Sequence, residues 1–209
     1  MIAAACALFL IISGAGAADR PVRIVAFGDS LMAGYELPAA DTFPAQLDRA
    51  LKARGIAAVV DNAAVSGDTS SGGAARLDWS IPDGTDAVLL ELGANDMLRG
   101  IDPGITFQML DGIITRLKAR GIAVLLCGMQ AAPNLGAEYA NAFNAIYPAL
   151  AKKHDLILYP FFLEGVAAKQ SLLLRDGIHP NAAGIGTIVA RILPQVEALV
   201  ARVRARRGS

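Results

Sequence analysis

The sequence predicts an α/β protein: a five-stranded parallel sheet between two layers of helices, a three-layer α/β/α sandwich. Three observations carry this. Five short apolar runs recur along the chain, segments with helical periodicity separate them, and 209 residues is the length of a single domain. Near-continuous hydrophobicity over four to six residues marks strands buried on both faces. Strands that alternate with helices join through right-handed crossovers into a parallel sheet.

Ahead of the first strand, residues 1–18 carry no charged side chain, run apolar from Ala7 to Ile12, and close on small residues from Ser13 to Ala18. This is the pattern of a secretory signal peptide without a basic n-region. Ala15-Gly16-Ala17 or Gly16-Ala17-Ala18 supplies the small-residue cleavage site, and the apolar core is shorter than a membrane span of about 20 residues. Residues 19–209 are then the single folded domain, exported to the periplasm or secreted, with no stable membrane span once the leader is gone. Cys6 lies inside the leader, so Cys127 is left without an internal partner and reads as a small core hydrophobe.

The strands are expected at Val22 to Phe27, Ile56 to Val60, Ala87 to Leu92, Ile122 to Cys127 and Leu156 to Tyr159. Helices are expected between them: Phe43 to Arg54, Gly72 to Trp79, and Ile105 to Arg120. In the last of these Met109, Leu110, Ile113, Ile114 and Leu117 recur at three- and four-residue steps. A further stripe runs through Tyr139, Phe143, Ile146, Tyr147 and Leu150. A long helix begins at Asn181, and Pro194 should kink or break it. Arg202, Arg204, Arg206 and Arg207 read as its solvated end, where cations oppose the negative dipole terminus.

Nineteen basic and nineteen acidic side chains cancel, which leaves no long-range field for a polyanion and argues against nucleic acid as a partner. Two distant histidines and one cysteine beyond the leader make no metal site. Nucleotide-binding glycine fingerprints and a Gly-x-Ser-x-Gly elbow are both missing. Oligomeric state is not legible.

Loops at the C-terminal edge of a parallel sheet are where chemistry gathers, and four of them hold reactive types. Gly28-Asp29-Ser30-Leu31 puts a serine where the first strand ends. A serine needs a base, and His179 in Asp176-Gly177-Ile178-His179-Pro180 offers one; His154, at the charged end of a helix, reads as surface. Asp176, three residues before His179, can hold one imidazole nitrogen when the loop folds back. Gly67 in Asn62 to Thr69 can bring a backbone N–H close to a ligand, and Asn95 in Gly93-Ala94-Asn95-Asp96 carries a neutral, directional donor. Any one of these is also what a turn or cap looks like, whereas the combination points to acyl transfer. Glu91, the one charge in an apolar strand, reads as a hydrogen-bonded structural acid. Asp29, Asp68 and Asp96 read as carboxylates that fix loops.

From about Val22 to Ile192 these blocks resemble, in order, the SGNH (GDSL) hydrolase family, most closely its bacterial arylesterase, acyl-CoA thioesterase and lysophospholipase branch. The resemblance implies Ser30 as nucleophile, Asp176 and His179 as its partners, and Gly67 and Asn95 as oxyanion donors beside the Ser30 N–H. It also implies a flavodoxin-like sandwich, a small-molecule ester or thioester substrate, and no metal or organic cofactor. The loop Met129 to Asn134 departs from that branch at Gln130-Ala131, which puts acyl-chain preference in question. The expected function is a serine esterase working through an acyl-enzyme. Carbohydrate acetyl ester hydrolysis, or binding without turnover, are the rival readings.

Overall fold

The computed structural model describes residues 20–208, so the leader expected at 1–18 and Cys6 lie outside the described residues. Five parallel strands, β1 (Val22–Gly28), β2 (Ala58–Asn62), β3 (Ala87–Glu91), β4 (Ala123–Cys127) and β5 (Ile157–Tyr159), form one sheet in the order β2-β1-β3-β4-β5. β3 and β4 are buried throughout and β1 nearly so, as continuous apolar runs require. β2 and β5 lie at the sheet edges and are partly exposed.

The crossovers divide the helices between two layers. α2 (Phe43–Ala53) joins β1 to β2 and packs on the final helix α8 (Ala182–Arg207). α3 (Ser70–Ser80), α5 (Pro103–Ala119) and α7 (Ile146–His154) make the other crossovers, and α5 packs on both α3 and α7. Strand order reverses between β1 and β3. The loops leaving those two strands, with the short helices α1 (Ser30–Ala33) and α4 (Ala94–Leu98), therefore flank a crevice at the topological switch point.

One local expectation is corrected and another is narrowed, each for an identifiable reason. The apolar stripe from Tyr139 to Leu150 divides at Ala145 into α6 (Ala137–Asn144) and α7. Pro148 has no N–H to return to Asn144, and it is tolerated in the first turn of a new helix. Pro194, by contrast, does not break α8, which runs 26 residues through it. The Ala190 carbonyl loses its helical donor there, but Ile188, Ile192, Val196 and Leu199 are fully buried on either side of the proline. Burying such side chains contributes about 1.5–3 kcal/mol each, which outweighs a local cost of about 3 kcal/mol. α8 is long and apolar enough to cross a membrane, yet half of its most apolar stretch is buried within the fold.

The C-terminal arginines end α8 as expected, with Arg204 and Arg206 exposed, but Arg207 is an anchor, because the end of α8 reaches the edge of the sheet where the strands begin. Arg207 and Arg20 both pair with Asp86, each at 2.6 Å, and the Asp86 carboxylate also accepts from the Arg23 N–H at 2.8 Å. Arg202 and Arg204 donate to the carbonyls of Asp155 and Ala57. Burial raises the Asp86 pKa, but the Arg20, Arg207 and Arg23 donors outweigh it and hold it below the usual carboxylate range. A depressed folded pKa stabilises above the unfolded value, and that contribution is lost as pH falls through the folded one. Asp86→Asn should therefore cost about 1–2 kcal/mol at pH 7, after allowing for solvent screening. Denaturant titrations of the two proteins should converge in acid below the depressed Asp86 pKa; a gap that persists there would assign the loss to packing.

Candidate active site

β1 delivers its last residues to the crevice under a tight constraint. A Cβ at Gly28 would lie 2.6 Å from the Glu91 carbonyl and 2.7 Å from its Oε2, so only glycine lets β1 leave the sheet beside Glu91. Asp29 then caps α1, its Oδ1 accepting from the Leu31 N–H at 3.0 Å, and Ser30 becomes the first residue of that one-turn helix.

The segment before α8 folds back on itself. Leu173 and Pro180 form an antiparallel bridge, and the Leu174 N–H donates to the His179 carbonyl at 2.7 Å. Asp176 Oδ1 accepts the N–H groups of Ile178 (2.9 Å) and His179 (3.0 Å), while its Oδ2 lies 2.6 Å from His179 Nδ1. On the other side of the ring, His179 Nε2 lies 2.9 Å from Ser30 Oγ. Partial burial raises the Asp176 pKa, but the Ile178 N–H, the imidazole and the His179 N–H together hold it down at about 2. Asp176 is thus an anion at any ordinary pH. An anion facing Nδ1 fixes the tautomer with the proton on that nitrogen, leaving Nε2 to accept from the serine hydroxyl.

Gly67 and Asn95 line the same cavity as Ser30 and His179. Gly67 adopts φ +86, a left-handed conformation that favours glycine, and its carbonyl accepts from Arg99 at 2.8 Å. Asn95 sits in the first turn of α4. It is not a free donor: Nδ2 bonds Asp29 Oδ2 at 3.1 Å and the Asp68 carbonyl at 2.9 Å, which engages both amide hydrogens. Bonding a new oxyanion requires one of these to be traded.

The three neighbouring aspartates fix loops. Asp96 accepts from the Ser70 N–H and hydroxyl and from the Thr106 hydroxyl, tying α3, α4 and α5 together. Asp68 pairs with Arg76. Arg76 is buried, and sequence reasoning missed it. Its guanidinium reaches the carbonyls of Gly28 and Ala63 and lies 4.0 Å from the Phe27 ring centroid, joining the ends of β1 and β2. Tyr35 was missed as well; its ring centroid is 4.4 Å from that of His179. No local signal in the sequence marks either residue. His154 is not a solvated surface group, since its Nε2 lies 2.6 Å from Asp111 of α5 and its side chain is largely covered.

Above Ser30 and His179 opens a cavity of about 690 Å³ with walls mainly of Leu31, Met97, Met129, Phe161, Leu163 and Ile178. The divergent loop at Gln130 to Pro133 forms part of its wall. Such a space has the size and apolar lining to hold an acyl or aryl group beside Ser30.

The family model for GDSL-like lipases and acylhydrolases matches residues 26–185, from the end of β1 into α8. The chain belongs to the GDSL-like lipase/acylhydrolase family. Relatives agree over nearly the whole length. An arylesterase of Vibrio mimicus is 40% identical over 83% of this chain and 86% of the relative. Thioesterase 1/protease 1/lysophospholipase L1 of Escherichia coli K12 is 40% identical over 92% of this chain and 90% of its own. The crystal structure of AlinE4, an SGNH-hydrolase family esterase, superposes with a TM-score of 0.73 at 45% identity, covering 86% of this chain and 96% of that one. This GDSL-like hydrolase has the parallel α/β fold of its family and is a serine carboxylic ester hydrolase acting on small-molecule esters.

Proposed function

We propose that hydrolysis proceeds by two-step acyl transfer, with Ser30 as nucleophile, His179 as general base and then acid, and Asp176 as the anion that orients the imidazole. The observation carrying this is the continuous hydrogen-bonded chain from Ser30 Oγ through both ring nitrogens of His179 to Asp176. His179 Nε2 takes the hydroxyl proton as Oγ bonds to the carbonyl carbon. The carbonyl π electrons move to oxygen, and that oxyanion rests on the N–H groups of Ser30 and Gly67 and on the Asn95 amide. Collapse expels the alcohol or thiol, which receives the proton from His179. Water, deprotonated by the same nitrogen, then attacks the acyl carbon and frees the acid and Ser30.

The mainly apolar cavity favours aryl or fatty acyl esters and thioesters over acetylated sugars, in keeping with the activities named for the arylesterase and lysophospholipase relatives. The apolar leader at 1–18 supports export to the periplasm or exterior. A fluorophosphonate probe tests the central step, because it forms a stable tetrahedral adduct on an activated serine. One adduct per chain on the peptide carrying Ser30, with matching loss of p-nitrophenyl ester hydrolysis, is expected. Labelling elsewhere, or full inhibition with Ser30 unmodified, would overturn the assignment.

A further inference from the structure

A second pair of acids lies beneath the site and takes no part in that chemistry. Glu91, the last residue of β3, and Asp29, just past the end of β1, are both fully buried and meet at the switch point. Glu91 Oε2 accepts from the Asp29 N–H at 3.3 Å, and Glu91 Oε1 has no hydrogen-bond partner among the described residues. Arg76 reaches the neighbouring Gly28 carbonyl, and its guanidinium bonds Asp68, Ala63 and Ser80 rather than either of these two carboxyl groups. Two ionised carboxylates in a dry space, with no cation among the described residues bonded to either, repel each other and lose their hydration, so one of them holds a proton.

The donors decide which one. Asp29 receives the Leu31 N–H on one oxygen and Asn95 Nδ2 on the other. Glu91 receives one long N–H bond, keeps one bare oxygen, and otherwise meets only the Asp29 carboxyl group itself. Asp29 is therefore the anion and Glu91 the neutral acid. Burial acts in the same order, pushing Asp29 up to about 6 and Glu91 well above the ordinary range. The other titratable groups around the pair are Cys127, which faces Glu91 from β4, Tyr147 from α7, and His179. Burial raises the thiol and the phenol, so neither supplies a charge.

We propose that Glu91, as a neutral acid donating to the Asp29 carboxylate, is a positioning residue for the oxyanion site. It keeps Asp29 an acceptor, and an acceptor-only carboxylate binds the Asn95 amide through NH₂ and never through its carbonyl. A protonated Asp29 could bond the Asn95 carbonyl instead and turn the amide over, offering the oxyanion an acceptor. Glu91 thus acts on turnover through Asp29 and Asn95 without touching substrate. The inference rests on Asn95 as an oxyanion donor.

Kinetics of p-nitrophenyl ester hydrolysis against pH, for E91L, E91Q, N95A and E91L/N95A, test it. E91L should lower kcat about tenfold, a fraction of what outright loss of an oxyanion donor costs, with KM little changed. Its acid limb should move to higher pH, because Asp29 without its donor protonates more easily. E91Q keeps a neutral donor and should restore most of the loss. In the N95A background E91L should add nothing. E91Q as poor as E91L, or E91L and N95A multiplying, would overturn the proposal. Should E91L fail to fold, an infrared difference spectrum of wild type against E91Q at neutral pH reads the proton directly: loss of a neutral-acid carbonyl band supports the proposal, and loss of a carboxylate band refutes it. N95A as active as wild type would defeat the oxyanion reading itself, whereas an impaired N95A beside a fully active E91L would defeat only the role of Glu91.

Discussion

Ser30→Ala is expected to lower kcat for p-nitrophenyl ester hydrolysis by about 10⁴-fold or more, with little change in melting temperature. Ser30 Oγ is bonded to His179 Nε2 at the cavity floor, so its removal opens no cavity in the core and strands no donor beyond the reach of water. His179→Ala should cost a similar factor, because a serine without its base and a base without its serine are the same broken unit. The double variant should then be no slower than either single one. The remaining turnover would come from oxyanion donors and binding alone. Parallel rate measurements, with active-site titration to exclude traces of wild type, decide the matter. A Ser30→Ala enzyme within tenfold of wild type, or single losses that multiply in the double variant, would remove this pair from the mechanism.

The parts of the fold legible in the sequence are those that local chemistry determines. β1, β3 and β4 announce themselves because both faces are covered and nearly every position must be apolar. α2 falls within one residue of its expected span, since Pro44 in its first turn and a buried stripe of Phe43, Leu47 and Leu51 agree. Pro194 does not end α8 because its local cost is offset by burial against the rest of the fold, which no window of sequence contains.

The candidate site divides in the same way. Ser30, Asp176 and His179 are readable because a parallel sheet sends its loops to one edge, and Asp176 and His179 are close enough in sequence to share a turn. Arg76 is unreadable, because its value depends on the Gly28 and Ala63 carbonyls, 48 and 13 residues away. The protonation of Glu91 is hidden for a related reason: it follows from having Asp29 opposite and no cation among the described residues bonded to it, both properties of packing. Sequence alone identifies Asn95 as a donor but cannot say that its hydrogens are already engaged.

That engagement shapes the second large prediction. Asn95→Ala should lower kcat by about 10²–10³-fold while leaving KM within a few-fold. In the resting enzyme Nδ2 spends its hydrogens on Asp29 and on the Asp68 carbonyl, so a bound ester gains no new bond from it. Only when negative charge develops on the substrate oxygen does trading the neutral Asp68 carbonyl for an oxyanion become favourable. The interaction therefore belongs to the transition state, and its loss falls on kcat. The same bonds predict a structural side effect, because the buried Asp29 carboxylate loses a donor; stability should fall by about 1–2 kcal/mol. Asn95→Asp separates the two roles. It keeps the shape of the side chain but sets an acceptor against both the Asp29 carboxylate and the oxyanion, so it should be slower than the alanine variant. Steady-state kinetics beside denaturant titration would show this, and a loss carried by KM, or an aspartate variant faster than alanine, would take Asn95 out of the oxyanion site.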